Sequence, residues 1–305
     1  MNIIEKNLKE RISQFEINWE MNPFPHAIID NFLPPEIFTK IINGLNHIDS
    51  FQDVKKKFQS HVEFNKNVYG DSDLNELAKL PIDILGGSNV KEIFGKFLNG
   101  QKLISLCDWP DYGGYYPFHS MIPGGVLGAH VDHSHSRDGD LHVANSIFYV
   151  SPKWKESWGG ETILFNHIGT KAMKKVVPAP NRLILFIHSS SSFHGVNTIF
   201  SPAGVKRSTY YMDYYIPEKE LSHVYTALKN KGCKNLVYSF HGTSFVPFFP
   251  LGVKSFKIKF IFMKSTYPYL GVFLKYMIVR FLLNNQFGRN LRKIKYMFKK
   301  KRKLN

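Results

Sequence analysis

Cysteine is scarce in this sequence of 305 residues, and its scarcity excludes two kinds of structure. The chain has 2 cysteines, Cys107 and Cys233, which are too few for a disulfide framework and too far apart for a CxxC metal site. A reducing compartment is therefore the simpler environment. Residues 1–20 are charged throughout and contain no apolar segment, so the sequence predicts no secretory signal.

Long apolar runs are also absent. A membrane-spanning helix needs about 18 uncharged apolar residues, and the nearest candidate, residues 267–283, is interrupted by Pro268, Lys275 and Arg280. The prediction is a cytoplasmic protein. Its 43% hydrophobic and 21% charged residues are typical of a globular fold and exclude wholesale disorder or a fibrous architecture.

Acidic residues are missing from the last part of the chain. Residues 1–220 contain 22 Lys and Arg and all 24 Asp and Glu, whereas residues 221–305 contain 18 Lys and Arg and no acid. The chain is thus a nearly neutral body with a cationic extension. Because apolar and aromatic residues alternate with these cations, we predict peripheral attachment to an anionic membrane surface. Nucleic-acid binding is less favoured by this pattern, and a solvated tail is the remaining alternative.

The body of the sequence changes from helical to strand-like patterning. Apolar residues at helical spacing predict one helix over residues 4–15 and a second after Pro34, with its apolar stripe over residues 37–45. Short apolar runs separated by turn residues follow at 115–122, 126–131, 143–150, 161–165, 173–177, 182–187, 193–196 and 207–216. Such a series is typical of an antiparallel sandwich or barrel of jelly-roll type.

We therefore predict a mainly β protein in three parts. Residues 1–101 form an N-terminal helical support region, residues 102–220 form the jelly-roll core, and residues 221–305 form a basic, aromatic C-terminal extension.

The sharpest local feature is the tripeptide His130-Val131-Asp132. Alternate residues of a strand point to the same face, so the imidazole and the carboxylate would converge. His194 opens a later strand-like run and supplies a third candidate ligand. Two histidines and one carboxylate on one face of a metal are the arrangement of non-haem Fe(II) oxygenases. Because the chain has 13 His, two alternatives stay open: His130 as an ordinary packed histidine, and His188 in place of His194.

A basic residue follows in the next apolar strand. Arg207 lies 13 residues after His194, and Thr209 shares its face of the strand. A buried guanidinium is costly without a partner. A bound dicarboxylate would supply one, through a bidentate pair with Arg207 and a hydroxyl hydrogen bond from Thr209, while its 2-oxo acid end chelates the metal. The alternative is a surface arginine paired with Glu218 or Glu220.

In this order the motifs resemble those of the 2-oxoglutarate/Fe(II)-dependent dioxygenases of the prolyl 4-hydroxylase-like branch, over residues 22–216. The matching pieces are NPFPHAIIDNFL at 22–33, PGG at 123–125, HVD at 130–132, WGGET at 158–162, PNRLILF at 180–186, SFHGV at 192–196 and RST at 207–209. The resemblance implies that residues 102–220 form a double-stranded β-helix oxygenase core.

The resemblance also implies roles for the candidate residues. His130, Asp132 and His194 would ligate Fe(II), and Arg207 with Thr209 would hold the C5 carboxylate of 2-oxoglutarate. O2 would be the other cosubstrate, and ascorbate an expected reductant. The implied reaction is hydroxylation of an unactivated C–H bond of a small-molecule or peptidyl substrate, with release of succinate and CO2. Related halogenases have Ala or Gly in place of Asp132, so the carboxylate favours hydroxylation.

One expected cosubstrate contact departs from the family. Many relatives place a tyrosine on the first core strand, and the corresponding place here is near Met121. That contact is therefore missing, or it is supplied by His119 or Tyr116.

Two other functional classes stay open from the sequence. A non-catalytic jelly-roll binding module would keep the fold without turnover. His133 and His135 form the HxH pair of metal-binding cupins, which makes a cupin-type metal-dependent isomerase the other alternative. Cupins add a glutamate a few residues later, whereas here only Asp138 and Asp140 follow.

Overall fold

A computed structural model of the chain describes residues 9–12, 15–46, 48, 56–59, 62–109 and 115–246. Residues 9–12 are helical, whereas Ile4 and Leu8 of the predicted first stripe lie outside the described residues. The same holds for the apolar segment 267–283 and for the basic end of the chain. Among the described residues, no helix combines the length and the apolar character needed to cross a bilayer.

The helices are α1 (Pro35–Leu45), α2 (Glu76–Gly86), α3 (Ser88–Phe97) and α4 (Leu221–Asn230). The strands are β1 (His26–Ile29), β2 (Lys56–Gln59), β3 (Glu63–Tyr69), β4 (Ile104–Ser105), β5 (Phe118–Val131), β6 (Leu141–Tyr149), β7 (Thr162–Phe165), β8 (Ala172–Val176), β9 (Leu183–Ile187), β10 (His194–Val196), β11 (Arg207–Ile216) and β12 (Ser244–Phe245).

The strands form a curled antiparallel sheet. Its order is β1-β9-β6-β11-β5-β10-β7-β8, with β3 and β12 also pairing with β5, β2 pairing with β3, and β4 pairing with β11. The first part of β5, residues 118–121, pairs with β11, and its last part, residues 127–130, pairs with β10. A single strand therefore joins the two halves of the sheet. The predicted mainly β, jelly-roll architecture is confirmed.

The first two predicted runs, 115–122 and 126–131, are one strand of 14 residues rather than two. The turn residues between them stay in the sheet because β3 pairs with β5 on both sides of the bend. There the Asn65 side-chain amide donates to the Pro123 carbonyl at 3.0 Å. Gly124 has a φ of +80°, which glycine adopts without the cost that a side chain would add. The PGG motif thus bends β5 without ending it.

The N-terminal helices cover one face of the sheet, as predicted. Ile37 and Ile41 of the α1 stripe are buried in the main core, and so is Leu85 of α2. Two tyrosines of β11 fix α2 on the sheet: Tyr210 donates its hydroxyl to the Ala78 carbonyl at 2.6 Å, and Tyr214 donates to the Leu85 carbonyl at 2.7 Å. Burying apolar area at about 25 cal/mol per Å² drives this packing, and the two hydroxyl bonds fix its orientation.

The first part of the C-terminal extension packs against the barrel. After α4, the Ser190 amide donates to the Val237 carbonyl at 2.6 Å and the Ser134 amide donates to the His241 carbonyl at 3.0 Å. β12 then pairs with the end of β5, and the Val246 amide donates to the Ala129 carbonyl at 2.7 Å. Residues 221–246 are therefore part of the folded body.

Asn181 joins the N-terminal segment to the sheet. Its buried side-chain amide donates to the Leu33 carbonyl at 2.8 Å and accepts from the Leu33 amide at 2.9 Å. Its φ is +58°, in the left-handed region that asparagine tolerates better than most residues. One side chain thus satisfies two backbone groups and allows the turn.

We expect Asn181→Ala to lower the free energy of unfolding by about 2–4 kcal/mol, because two buried backbone groups lose their partners and alanine is strained at this φ. Chemical denaturation measures the change. The matched control is Asn230→Ala, at the exposed end of α4, which should change the free energy by less than about 0.5 kcal/mol. Equal stability of Asn181→Ala and the wild type would contradict this role of Asn181.

Candidate functional site

The pairing of β5 with β10 brings three predicted ligands together. His130 and His194 are direct partners in the antiparallel register, and Asp132 follows β5 immediately. The Asp132 Oδ1 atom lies 3.5 Å from His130 Nε2, and its Oδ2 atom lies 3.3 Å from His194 Nε2. The candidate donor atoms of all three residues lie within 4.8 Å of one another. These residues could therefore hold a single metal ion.

Backbone carbonyls orient both imidazole rings. His130 Nδ1 is 2.9 Å from the Gly128 carbonyl oxygen, and His194 Nδ1 is 3.1 Å from the Ser192 carbonyl oxygen. A proton on each Nδ1 donates to these carbonyls, which leaves the Nε2 lone pair directed at Asp132. Two Nε2 atoms and a carboxylate on one face are the donor set of non-haem ferrous sites. The residues present thus fit Fe(II).

The protonation states also suit metal binding. Burial lowers the pKa of His194 to about 4, with the neighbouring His130 acting in the same direction. Burial alone would raise the pKa of Asp132, but His194 and His130 outweigh it and hold that pKa well below its usual range. At neutral pH, His194 is therefore neutral and Asp132 ionised, the forms in which these side chains bind metals.

Arg207 lies inside the structure rather than at its surface. It is 3% exposed, its Nε donates to the Gly160 carbonyl at 2.7 Å, and its Nη2 donates to Thr162 Oγ1 at 2.9 Å. The guanidinium also lies 5.1 Å from the centre of the Tyr149 ring. These partners are all neutral, so the surface pairing with Glu218 or Glu220 is not what the structure shows. The buried positive charge can still bind an anion.

Gly160 permits the close approach of Arg207 to the backbone. Its φ is +71°, and a Cβ there would lie 3.3 Å from Arg207 Cδ and 2.9 Å from the Trp154 ring. A side chain at Gly160 would thus displace the guanidinium from the carbonyl that orients it. The WGGET motif accordingly positions the arginine as well as making a turn.

The candidate metal ligands and Arg207 face one cavity of about 420 Å³. Thr209 is buried in the wall of this cavity, one alternation along β11 from Arg207. Lys206 and Ser208, predicted to face the opposite way, line a different cavity. The structure therefore brings all five predicted site residues to a single cavity.

The first-strand contact differs from the family expectation. Met121 is opposite Arg207 in the register of β5 and β11 and lines the cavity. His119 and Tyr116 line it as well. A tyrosine hydroxyl close to the guanidinium comes from β6 instead, since Tyr149 Oη lies 3.5 Å from Arg207 Nη2.

Sequence reasoning missed Tyr149, which lies beside Arg207 but does not line the cavity, and several residues that do line it. Thr162 and Tyr149 place hydroxyls beside Arg207 and hydrogen-bond to each other at 2.5 Å. Thr162 belongs to the WGGET motif, so the sequence could have indicated that it lies at the site. Tyr149 is the last residue of an apolar strand, and nothing in the local sequence marks it as a site residue. Thr243 and Phe245 of the C-terminal extension also line the cavity, and the Phe245 ring stacks on His130 with 5.1 Å between centroids.

The alternative histidines have other neighbours. His188 is buried, stacks on His142 at 4.0 Å and lies outside both groups of potential metal ligands in the described part of the chain. His133 and His135, the HxH pair, do not converge. His133 Nε2 is 2.7 Å from the Tyr215 hydroxyl, whereas the His135 ring lies against Phe240. The geometry gives no support to a cupin site at this pair.

Comparisons with known proteins identify the class of the domain. Residues 116–211 match the family model described as the 2OG-Fe(II) oxygenase superfamily. This match confirms the resemblance to the 2OG-Fe(II) oxygenases predicted from the motifs and the prediction of an oxygenase enzyme. The family uses Fe(II), 2-oxoglutarate and O2. A search of curated proteins gave no match.

Several solved structures are similar to the chain. A prolyl-4-hydroxylase from Pseudomonas putida has 16% sequence identity and a TM-score of 0.46, with 69% of this chain and 99% of that chain covered. A Trichoplax adhaerens prolyl hydroxylase, in complex with a hypoxia inducible factor peptide fragment, has 20% identity and a TM-score of 0.43, with 72% and 92% covered. HygX from Streptomyces hygroscopicus, with nickel, 2-oxoglutarate and hygromycin B bound, has 12% identity and a TM-score of 0.42, with 63% and 83% covered.

The geometry predicts the effect of removing the carboxylate ligand. Asp132→Ala should weaken Co(II) binding by more than the 10- to 100-fold typical of losing an outer-shell partner, because the two histidines retain only part of the donor set. Isothermal titration calorimetry measures the affinity. Asp138→Ala, an exposed acid nearby, should bind Co(II) as the wild type does. Unchanged affinity in Asp132→Ala would place the metal elsewhere.

Proposed function

We propose that this protein is an Fe(II)- and 2-oxoglutarate-dependent hydroxylase that oxidises an unactivated C–H bond and releases succinate and CO2. The principal support is the shared cavity, where the donor set of His130, Asp132 and His194 faces the same space as the Arg207 guanidinium. These four residues lie within the segment that matches the oxygenase family.

His130, Asp132 and His194 would hold the iron through the two Nε2 atoms and the carboxylate. When bound, Fe(II) would supply the O2 activation and C–H oxidation that side chains alone cannot perform. Because three protein donors leave coordination positions open on an octahedral metal, the protein leaves room for a chelating cosubstrate and O2. Ascorbate would keep the iron ferrous.

Arg207 would bind the distal carboxylate of 2-oxoglutarate. The Gly160 carbonyl and Thr162 already orient its guanidinium, so the side chain loses little conformational freedom on binding. Thr209 offers a hydroxyl on the same face of β11, and Thr162, which lines the same cavity, offers another beside Nη2. A charged donor with neighbouring hydroxyls is suited to a carboxylate. The distal carboxylate thus sets the direction in which the 2-oxo acid end reaches the metal ligands.

Aromatic side chains would limit access of water to the metal ligands. Phe186 lies against His194 with 4.9 Å between ring centroids, and Phe245 stacks on His130. Both histidines are buried, whereas Asp132 is partly exposed to the cavity. The metal would therefore be open mainly toward the cavity, where the substrate binds.

Removing the guanidinium tests the role of Arg207. Truncating one partner of a buried charge pair costs about 2–5 kcal/mol, so Arg207→Ala should raise the KM for 2-oxoglutarate at least about 30-fold. Succinate formed in the presence of Fe(II) and ascorbate is the measurement. Lys206→Ala removes the adjacent cation, which lines a different cavity, and should leave the KM unchanged.

The same assay separates the proposed enzyme from a non-catalytic binding module. The module predicts no succinate from the wild-type protein under any condition, whereas an enzyme forms succinate slowly even without its substrate. A wild-type KM in Arg207→Ala would disprove the role given to the guanidinium, even if turnover is observed.

We further propose that the protein is cytoplasmic and attaches peripherally to an anionic membrane through its basic extension. The sequence supports this, because residues 247–305 combine cations with apolar and aromatic residues and contain no acid. Each cation near such a surface contributes about 1 kcal/mol.

Vesicle sedimentation tests the attachment. The full chain should sediment with phosphatidylserine-containing vesicles, less so at high salt, and it should not sediment with neutral phosphatidylcholine vesicles. Deletion of residues 247–305 should abolish sedimentation while retaining β12, which pairs with β5. Equal sedimentation of the full and shortened chains would refute attachment through this segment.

A further inference from the structure

A second carboxylate lies in the cavity beside the candidate metal ligands. Asp213 is on the same face of β11 as Arg207 and Thr209, is 5% exposed, and lines the cavity. The Asn145 side-chain amide donates to Asp213 Oδ1 at 2.8 Å and lies 3.4 Å from Asp132 Oδ2. Asp213 is thus separated from a candidate iron ligand by one amide group.

No lysine or arginine among the described residues lies within 4.0 Å of this carboxylate. Among the described residues, the basic nitrogen atoms within 4.0 Å of it belong to His133, at 3.9 Å, and His142, at 3.6 Å. Burial lowers the pKa of His142 to about 3, so that ring is neutral at physiological pH. The Tyr215 hydroxyl, 3.4 Å from Oδ2, is also neutral. Burial and the neighbouring Asp132 raise the pKa of Asp213 well above its usual range, so this side chain favours its neutral form until a cation reaches it.

The fixed cations of the cavity are engaged elsewhere. The guanidinium of Arg207 donates hydrogen bonds to the Gly160 carbonyl and to Thr162. Lys66, the other cation of the cavity wall, bonds Glu63 at 2.7 Å. The cavity therefore has a positive charge at Arg207, suited to an anion, and at Asp213, next to the metal ligands, a carboxyl group that can pair with a cation.

We propose that Asp213 binds a protonated amine of the substrate and so selects a small amine-bearing molecule for oxidation beside the metal. This inference rests on the proposed function. An ammonium group would form a charge-assisted hydrogen bond with the carboxylate, and the ring of Tyr211, which lines the same cavity, provides a face that attracts cations. Asn145 and Tyr215 orient the carboxylate, and Asp213 itself would contact the substrate.

A divided extract tests the substrate class. An ultrafiltered extract of the source cells is passed over a strong cation exchanger in acid, which retains amines, amino acids included, and lets neutral and acidic molecules through. Each pool, adjusted to neutral pH, is added to the wild-type protein with Fe(II), ascorbate and 2-oxoglutarate. Succinate formation and products heavier by one oxygen atom are measured. Part of the retained pool is first acetylated, which removes the charge of its amines.

The retained pool should stimulate succinate formation, and acetylation should abolish the stimulation. Asp213→Asn, which keeps the shape and removes the charge, should lower the stimulated rate at least tenfold, and Asp213→Glu should recover part of it. Asp138→Asn, an exposed control, should behave as the wild type does. The unfolding temperature of each variant and its shift with 2-oxoglutarate establish that a loss is not a loss of fold.

Four results would overturn the amine assignment: stimulation by the unretained pool alone, stimulation by neither pool while basal succinate still forms, unchanged stimulation after acetylation, or a wild-type stimulated rate in Asp213→Asn. Metal binding offers a separate check, since His133, His142 and Asp213 also bring three potential ligand atoms within 4.8 Å of one another. Two Co(II) ions per chain, falling to one in Asp213→Asn, would assign the cluster to a metal instead.

Failure of the proposed function has a different signature. No succinate would then form from the wild-type protein in any condition, and the inference would fall with it.

Discussion

The pairing of β5 with two different strands is the constraint on which the site depends. Near its end, His130 is opposite His194 of β10, and nearer its start, Met121 is opposite Arg207 of β11. One continuous strand therefore sets the separation between the metal donors and the guanidinium. Because side chains alternate along a strand, a slip of one residue in either pairing would turn the functional side chains away from the cavity. The bend at Gly124 lets both pairings face the same space.

Backbone carbonyls hold the functional side chains before any ligand arrives. Gly128 orients His130, Ser192 orients His194, and Gly160 orients Arg207. Each carbonyl is fixed by the sheet or by a tight turn, so the donors and the guanidinium share the rigidity of the barrel. A site organised in this way loses little freedom on binding. Its cost is the burial of ionisable groups, which the lowered pKa of His194 expresses.

The two-residue period of a strand accounts for most of what the sequence could predict about the site. It placed His130 with Asp132 and Arg207 with Thr209, and the structure brings all four to one cavity. Carried four residues further along β11, the same period reaches Asp213, so this signal was present in the sequence. The sequence did not show what surrounds Asp213, because its neighbours Asn145 and His142 come from β6 and His133 comes from the segment before β6.

Contacts between distant segments set the limit of sequence reasoning for the fold as well. The PGG motif predicts a break between two strands, and only the pairing with β3 shows that β5 continues through it. Phe245 carries no local signal for a place beside His130, since that place depends on the pairing of β12 with β5. Similarly, the hydroxyls of Tyr149 and Thr162 meet at Arg207 from separate strands. Local pattern identified the chemistry, and long-range pairing completed the cavity wall.

The cationic extension is therefore continuous with the site rather than independent of it. Its first part, through Val246, adds a strand to the sheet and an aromatic ring to the metal-facing wall. A truncation before Ser244 would remove a strand paired with His130 together with any function of the basic segment, so a loss of activity would not distinguish the two. A truncation after Val246 leaves the wall intact, because the amide of that residue is already bonded to Ala129. A cut directly after Val246 therefore separates the chemistry of the barrel from the charge of the tail.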